Sequence, residues 1–261
     1  MSLLTGKTVV VSGVGAGLGH QVAAAVVRDG GNAVLGARTE ANLAKSAAEI
    51  DPDGAHTAYR ATDITDEAQC EALAALARER FGRIDAVVHV AALDGYFGGL
   101  EDADFMTWQS VIDVNLLGSL RMTRACLPAL KACGGSVVFI GTQSSVAAPT
   151  QVKQAAYAAS KGALTSAMYS LARELGPHRI RVNTVLPGWM WGPPVQAYVQ
   201  FTAQVEKVPE ADVLQRLTSR MALPDLATDG DVADAAVFLA SDRARSITGQ
   251  SLLVNAGELM R

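Results

Sequence analysis

The stretch "YAASK" sets a phenol, Tyr157, four residues before an ammonium, Lys161. On a helix that spacing puts both side chains on one face, so their polar tips project into the same space. A tyrosine at its ordinary pKa of about 10 is a poor acid–base group near neutrality. A neighbouring cation favours its phenolate, each unit of displacement being worth about 1.4 kcal/mol. Tyr-x-x-x-Lys also fits an amphipathic helix with a solvated lysine, so the pairing gains chemical meaning only from its surroundings. A second stretch, "VVVSGVGAGLG", runs β-branched residues into Gly13, Gly15, Gly17 and Gly19, more glycine than a corner needs. It lies between an apolar strand and the helical pattern "LGHQVAAAVVRDGG", which begins near Leu18. Gly13, Gly17 and Gly19 are therefore expected to take backbone angles closed to other residues and to let a pyrophosphate approach the N–H groups at the helix N-terminus.

The elements that must position these stretches alternate along the chain. Apolar, β-rich runs occur at "KTVVVSG", "NAVLGAR", "IDAVVHVAA", "GSVVFIG", "IRVNTVLP" and "QSLLVNAG", with helical patterns in most of the gaps. Their hydrophobicity is continuous rather than alternating, which predicts burial on both faces, as in a parallel sheet covered by helices. The fold class is thus α/β, a doubly wound parallel sheet in a three-layer αβα sandwich. The turn after the first strand then faces the topological switch point, where ligands bind outside the strand carboxyl ends. Residues 189–226, rich in aromatics and prolines, predict a helical excursion from the sheet.

With 261 residues, no Pro/Gly/Ser-rich linker and no charge block, the chain reads as one domain over 1–261. Hydrophobic residues make up 49% and charged ones 18%, with a formal charge of -4, which argues against disorder and against a nucleic-acid partner. "MSLLTGKTVVVSG" lacks the parts of a signal peptide, and no run reaches the roughly 18 apolar residues of a membrane span. A cytoplasmic protein with no membrane partner is expected. Cys70, Cys126 and Cys133 are odd in number and lack ligand spacing, which predicts buried free thiols. His20, His56, His89 and His178 are scattered, and no metal site is expected.

Together these features resemble the short-chain dehydrogenase/reductase family, in its compact single-domain form, over nearly the whole chain. The matching motifs are "GVGAGLG", Asp63 in "ATDIT", Asn115 in "VNLLG", "YAASKGAL" and "RIRVNTVLPG", all in the family's order. The resemblance implies a Rossmann-type fold and an NAD(P)-dependent oxidoreductase interconverting a secondary alcohol with a ketone or aldehyde by hydride transfer. Tyr157 would be the general acid–base, Lys161 would bind the nicotinamide ribose and lower the tyrosine pKa, and Asn115 would hold a water in the proton relay. Asp63 and Ile64 would contact the adenine, and Pro187 and Gly188 would border the nicotinamide. A serine hydroxyl would orient the substrate oxygen. The family's usual spacing, thirteen residues before the tyrosine, selects Ser144. Matching "SSVAA" to the family selects Ser145, and counting along "GSVVFIG" selects Thr142; of the three, Ser144 ranks first.

Departures from the family pattern carry their own expectations. The family's "NNAG" is "HVAA" here, so the backbone at Val90 and Ala91 would line the nicotinamide side, and His89 is expected to be a satisfied core histidine. Gly192 stands where a carboxamide-binding threonine often occurs, leaving that contact to backbone near Met190. Ala37 replaces the aspartate that would bond a ribose 2′-hydroxyl, and Arg38 and Thr39 offer a planar fork and a hydroxyl suited to a 2′-phosphate. Although Ala16 lacks the basic side chain of many NADP-using relatives, NADP(H) is favoured, with NAD(H) the alternative. Leu93, Tyr96, Phe97, Trp189, Trp191 and Tyr198 cluster at the ligand-binding edge and suggest a small to medium, apolar alcohol or carbonyl substrate. The rival functions on such a fold are an epimerase or dehalogenase, disfavoured by the retained Lys161, and a non-catalytic dinucleotide-binding regulator, disfavoured by the intact Tyr157, Lys161 and Asn115. The apolar helix "ALTSAMYSLARELG" and C-terminal strand suit pairing, and a homo-oligomer, tetramer ahead of dimer, is expected.

Overall fold

The computed structural model describes residues 2–94, 96–149 and 151–260. Its strands are β1 (Thr8–Ser12), β2 (Asn32–Ala37), β3 (Thr57–Ala61), β4 (Ala86–His89), β5 (Gly135–Ile140), β6 (Ile180–Pro187), β7 (Met190–Trp191), β8 (Ala227–Thr228) and β9 (Ser251–Val254). Its helices are α1 (Leu18–Arg28), α2 (Glu40–Ile50), α3 (Glu67–Phe81), α4 (Phe105–Ile112), α5 (Ser119–Cys133), α6 (Ala155–Leu175), α7 (Pro193–Glu206), α8 (Glu210–Thr218) and α9 (Asp229–Ala240). Seven strands form one parallel sheet in the order β3-β2-β1-β4-β5-β6-β9, so the strand order reverses between β1 and β4. This is a Rossmann-type doubly wound sheet.

The continuous apolar runs have the reason expected of them. Along β1, Val9 and Val11 enter the core shared with α1 and α9, while Val10 enters the opposite one, shared with α3, α5 and α6. Val138 and Ile140 of β5 likewise face one layer, and Val137 and Phe139 the other. With helices on both faces, each strand residue has an apolar destination, and no polar alternation is required.

β3 has no counterpart among the apolar runs. It is an edge strand paired only with β2, and Tyr59 and Arg60 within it are exposed, so the burial that makes central strands legible is missing. Between β6 and α9 the chain leaves the sheet. Helices α7 and α8 pack on each other through Val199, Ala203, Val213 and Leu217, a satellite cluster apart from the two sheet cores. The short parallel ladder of β7 with β8 closes the base of this excursion. Cys70 and Cys126 are buried, but Cys133 is exposed, contrary to expectation, because it is the last residue of α5. No helix among the described residues is long and apolar enough to cross a membrane.

Candidate active site

Two hollows meet at the carboxyl ends of β1, β4, β5 and β6. The larger, a groove of about 620 Å³, is lined by the β1–α1 turn and by the segments after β2, β3 and β4. The other is a cavity of about 320 Å³ between the segments after β5 and β6 and helix α7. Asp94, just beyond β4, lines both.

The glycines shape the groove in three different ways. Gly13 has φ +92°, and a Cβ there would lie 2.2 Å from the Ala91 nitrogen, so side-chain removal lets the β1 and β4 ends close together. A Cβ on Gly19 would lie 2.2 Å from the Gly13 carbonyl oxygen, so this residue allows α1 to start directly under the turn. A Cβ on Gly15 would meet nothing within 4 Å, and its backbone lines the open groove. Of the three residues expected to need unusual backbone angles, only Gly13 is left-handed; at Gly17 and Gly19 the φ angles are ordinary. Gly17 is the N-cap of α1, Leu18 its first residue, and neither a capping side chain nor a first-turn acid neutralises its free amides. Such an end favours an anion.

Arg38, Thr39, Asp63, Ile64, Val90 and Ala91 all line this groove. Asp63 accepts from the Thr65 amide at 2.9 Å and the Thr65 hydroxyl at 2.7 Å, and these bonds, with Arg38 nearby, hold its carboxyl below the usual range. The groove fits a dinucleotide: a side-chain-free turn at Gly15, an uncapped helix start, and Arg38 with Thr39 beyond β2.

On the cavity side, α6 presents Tyr157 to the hollow and carries Lys161 one turn further on, buried. The Lys161 Nζ donates to the Ile140 carbonyl at 2.7 Å and lies 6.0 Å from the centre of the Tyr157 ring. Burial pushes Lys161 down to about 8, the Asp94 charge acting against it. The Tyr157 phenol is displaced upward, by burial first and by Asp94 second, while the Thr142 hydroxyl acts against both. Desolvation of the phenol dominates, and the Lys161 ammonium, turned to the Ile140 carbonyl, is not among the causes.

Thr142 and Ser144 both line the cavity with Tyr157, and the Thr142 hydroxyl is the one whose influence reaches the phenol. Thr142 caps a short 3-10 turn, Gln143–Ser145, and its Oγ1 accepts from the Ser144 amide at 3.2 Å. That bond leaves the threonine hydrogen free for the phenol oxygen. Ser144 lines the cavity, but its hydroxyl makes no hydrogen bond among the described residues, and the Ser145 hydroxyl donates to the Thr142 carbonyl at 2.7 Å.

Asn115 sits in a π-helical turn, Asp113–Gly118, that links α4 to α5. Its side chain accepts from the Leu93 amide at 2.7 Å and donates to the Leu93 carbonyl at 3.1 Å and the Ser160 hydroxyl at 3.0 Å. Ser160 in turn donates to the Tyr157 carbonyl at 2.7 Å. The amide thus ties the segment after β4 to α6 one turn from the phenol, with both Nδ2 hydrogens donated to protein atoms. His89 is buried and stacked on Phe139 with ring centres 5.0 Å apart. The Thr123 hydroxyl gives its proton to the Ser119 carbonyl at 2.9 Å, so His89 Nε2 must be the donor in its 2.8 Å bond to Thr123. Burial, then the Lys161 charge, lowers this imidazole to about 3, and it is neutral.

Pro187, Gly188 and Met190 line the cavity, as do the paired rings of Trp189 and Tyr198, 5.2 Å apart. A network absent from the sequence reading closes its far wall. Glu258 bonds Arg220 at 2.7 Å and the Gln143 amide at 2.9 Å, and the Gln143 carbonyl accepts from Asn255 at 2.6 Å. It joins the excursion and the C-terminal segment to the turn that carries Thr142. Nothing local in the sequence marks these partners; Gln143 lies more than a hundred residues from both Asn255 and Glu258. Among the described residues no group of three or more His, Cys, Asp or Glu side chains suits a metal ion.

A switch-point groove that fits a dinucleotide, beside a cavity lined by a phenol and a hydroxyl with a lysine buried one helical turn from the phenol, is an arrangement suited to nicotinamide-dependent oxidoreduction. A family model described as enoyl-(acyl carrier protein) reductase matches residues 13–258. The chain is 32% identical to trans-4-hydroxycyclohexanecarboxylate dehydrogenase of Sinomonas cyclohexanicum, with 97% of this chain and 92% of that protein covered. It is also 32% identical to D-threitol dehydrogenase of Mycolicibacterium smegmatis, covering 97% and 93%. Among solved structures, a short-chain type dehydrogenase/reductase from Mycobacterium ulcerans superposes with a TM-score of 0.86 at 28% identity, over 98% of this chain and 90% of that one. The chain belongs to the short-chain dehydrogenase/reductase family. It is an oxidoreductase of alcohols and carbonyls that uses NAD(P).

Proposed function

We propose that this enzyme interconverts a small or medium-sized secondary alcohol and its ketone, or an alcohol and its aldehyde, with NADP(H) as the favoured cofactor. What supports the reading is Tyr157 and Thr142 on the cavity wall, with Lys161 buried one helical turn on and its Nζ 6.0 Å from the centre of the phenol ring. The nicotinamide supplies or accepts the hydride when bound. Tyr157 gives the proton to the substrate oxygen in reduction and recovers it in oxidation. Its upward displacement keeps the phenol protonated at neutral pH, the form that reduction needs. Thr142 donates to the same oxygen and orients it, replacing Ser144 in that role. Lys161 holds positive charge beneath the site, and Asn115, through Leu93 and Ser160, keeps the β4 segment and α6 in register.

The groove wall beyond β2 supports NADP(H) over NAD(H). It carries Arg38 and Thr39 and has Ala37 where a carboxylate would repel a 2′-phosphate. The test is a panel of alcohols and carbonyls offered with both cofactors and followed at the nicotinamide absorbance. Turnover of a secondary alcohol or ketone, faster with NADP(H), is expected. A protein that binds the cofactor yet turns over no member of the panel would contradict the reading.

A further inference from the structure

The ionisable groups on the cavity wall are unbalanced. Arg220 is the one Arg or Lys side chain among the described lining residues, against the carboxylates of Asp94, Asp229 and Glu258. Glu258 is its ion-pair partner, only 5% exposed, and gives its second oxygen to Gln143, so that pair contributes no net charge. Asp94 and Asp229 remain, and neither has a hydrogen bond or ion pair among the described residues.

Their positions are specific. Asp94 is shared by cavity and groove, so it borders the place where the reacting carbon must lie, and its charge is felt at both Tyr157 and Lys161. Asp229 opens α9 on the inner side. A Cβ built on Gly192 would be 2.8 Å from its carboxylate, and one on Gly17, at the start of α1, would be 3.2 Å away. A carboxylate or phosphate on the substrate would therefore enter a cavity lined by the exposed Asp94 and the half-buried Asp229, with the lining's cation already committed. A hydroxyl, by contrast, would donate to Asp94 and satisfy it. The opposite wall, Trp189 stacked at a tilt on Tyr198, suits the C–H face of a ring or short chain.

We propose that the cavity takes an uncharged substrate bearing a hydroxyl next to the reacting carbon, a vicinal diol or hydroxy-ketone, and discriminates against carboxylate- and phosphate-bearing ones, with Asp94 reading the neighbouring hydroxyl and Asp229 adding to the exclusion of anions. This rests on the oxidoreductase reading above and replaces the purely apolar substrate expected from the aromatic residues. It also separates this chain from its relative named for a carboxylate and sides it with the one named for a polyol.

Three compounds of one ring size test it: cyclohexanol, trans-1,2-cyclohexanediol and trans-4-hydroxycyclohexanecarboxylate. Each is measured for kcat/KM and, independently of turnover, for binding to the enzyme–NADP+ complex by thermal shift. Wild type should prefer the diol to cyclohexanol by about tenfold or more and disfavour the carboxylate by a similar factor. Asp94→Ala should bring the diol and cyclohexanol together, and Asp94→Asn with Asp229→Asn should raise the carboxylate relative to cyclohexanol. Wild-type binding of the carboxylate as tight as that of the diol, or preference ratios unmoved by these substitutions, would overturn the proposal. Ordered binding without turnover would instead uphold the selectivity and sink the catalytic reading.

Discussion

Replacing the Thr142 hydroxyl separates two assignments that the sequence leaves open. Thr142 is 9% exposed, lines the cavity with Tyr157, and accepts the Ser144 amide at 3.2 Å. Thr142→Val keeps the shape and removes only the oxygen. If that oxygen steadies the charge developing on the substrate, kcat should fall about 10²–10³-fold, the usual cost of one such donor. The orphaned Ser144 amide should add a stability loss on the order of 1–2 kcal/mol, visible as a lower Tm. Thr142→Ser restores the hydroxyl without the methyl group and should recover kcat to within about fivefold while staying less stable than wild type. Ser144→Ala, which removes a hydroxyl with no protein partner, should stay within about threefold. The assay is steady-state kcat and kcat/KM at saturating cofactor for all three variants, beside their melting curves. A hundredfold loss in Ser144→Ala, with Thr142→Val within tenfold of wild type, would refute the reasoning and return the role to Ser144.

Arg38→Ala should lower the ratio of kcat/KM for NADP(H) over NAD(H) by about tenfold or more, since a charge-assisted bond to the 2′-phosphate is lost; an unchanged ratio would count against Arg38 as the phosphate reader. His89, held near 3 when folded against an ordinary 6.5, binds its proton more readily in the unfolded chain. Stability should therefore fall as pH drops below 6.5, by about 2 kcal/mol on reaching pH 5, and urea unfolding of His89→Asn should lack that share of the slope. Lys161, lowered to about 8, changes stability only above that pH and does not enter the window. Exposed Phe105, Met106, Ile112, Leu117 and Tyr169 on α4, the π turn and α6, with Leu252 on the β9 edge, offer two apolar faces for self-association. A tetramer mass by light scattering at micromolar concentration is expected, and a monomer would exclude it.

What the sequence reveals of this molecule follows its local physics. Strands buried on both faces announce themselves by continuous valines, and β3 does not, because an edge strand with Tyr59 and Arg60 in solvent has no such constraint. The groove is legible at Gly13 and Arg38 since a glycine-rich turn after a strand and a missing acid are sequence-local facts. The cavity is much less so. Thr142 could be counted along β5 and Ser144 back from Tyr157, but that Thr142 caps the 3-10 turn and accepts the Ser144 amide shows only in the fold. The direction of the Tyr157 displacement depended on whether Lys161 points at the phenol or at the Ile140 carbonyl, a matter of rotamer and burial. Asp94, Ser160 and the Arg220–Glu258–Gln143 network act through partners distant in the chain, and only the folded arrangement shows them.

The most direct test of the central claim is Tyr157→Phe, which removes one oxygen from the wall of the cavity and leaves the groove untouched. With NADP(H) affinity measured by fluorescence titration and turnover measured on the best alcohol or ketone, the expected result is a kcat about 10²–10⁴-fold below wild type with cofactor affinity within about twofold. Turnover surviving within about tenfold, with the cofactor still bound, would contradict the account, because the proton would then have to come from some group other than Tyr157.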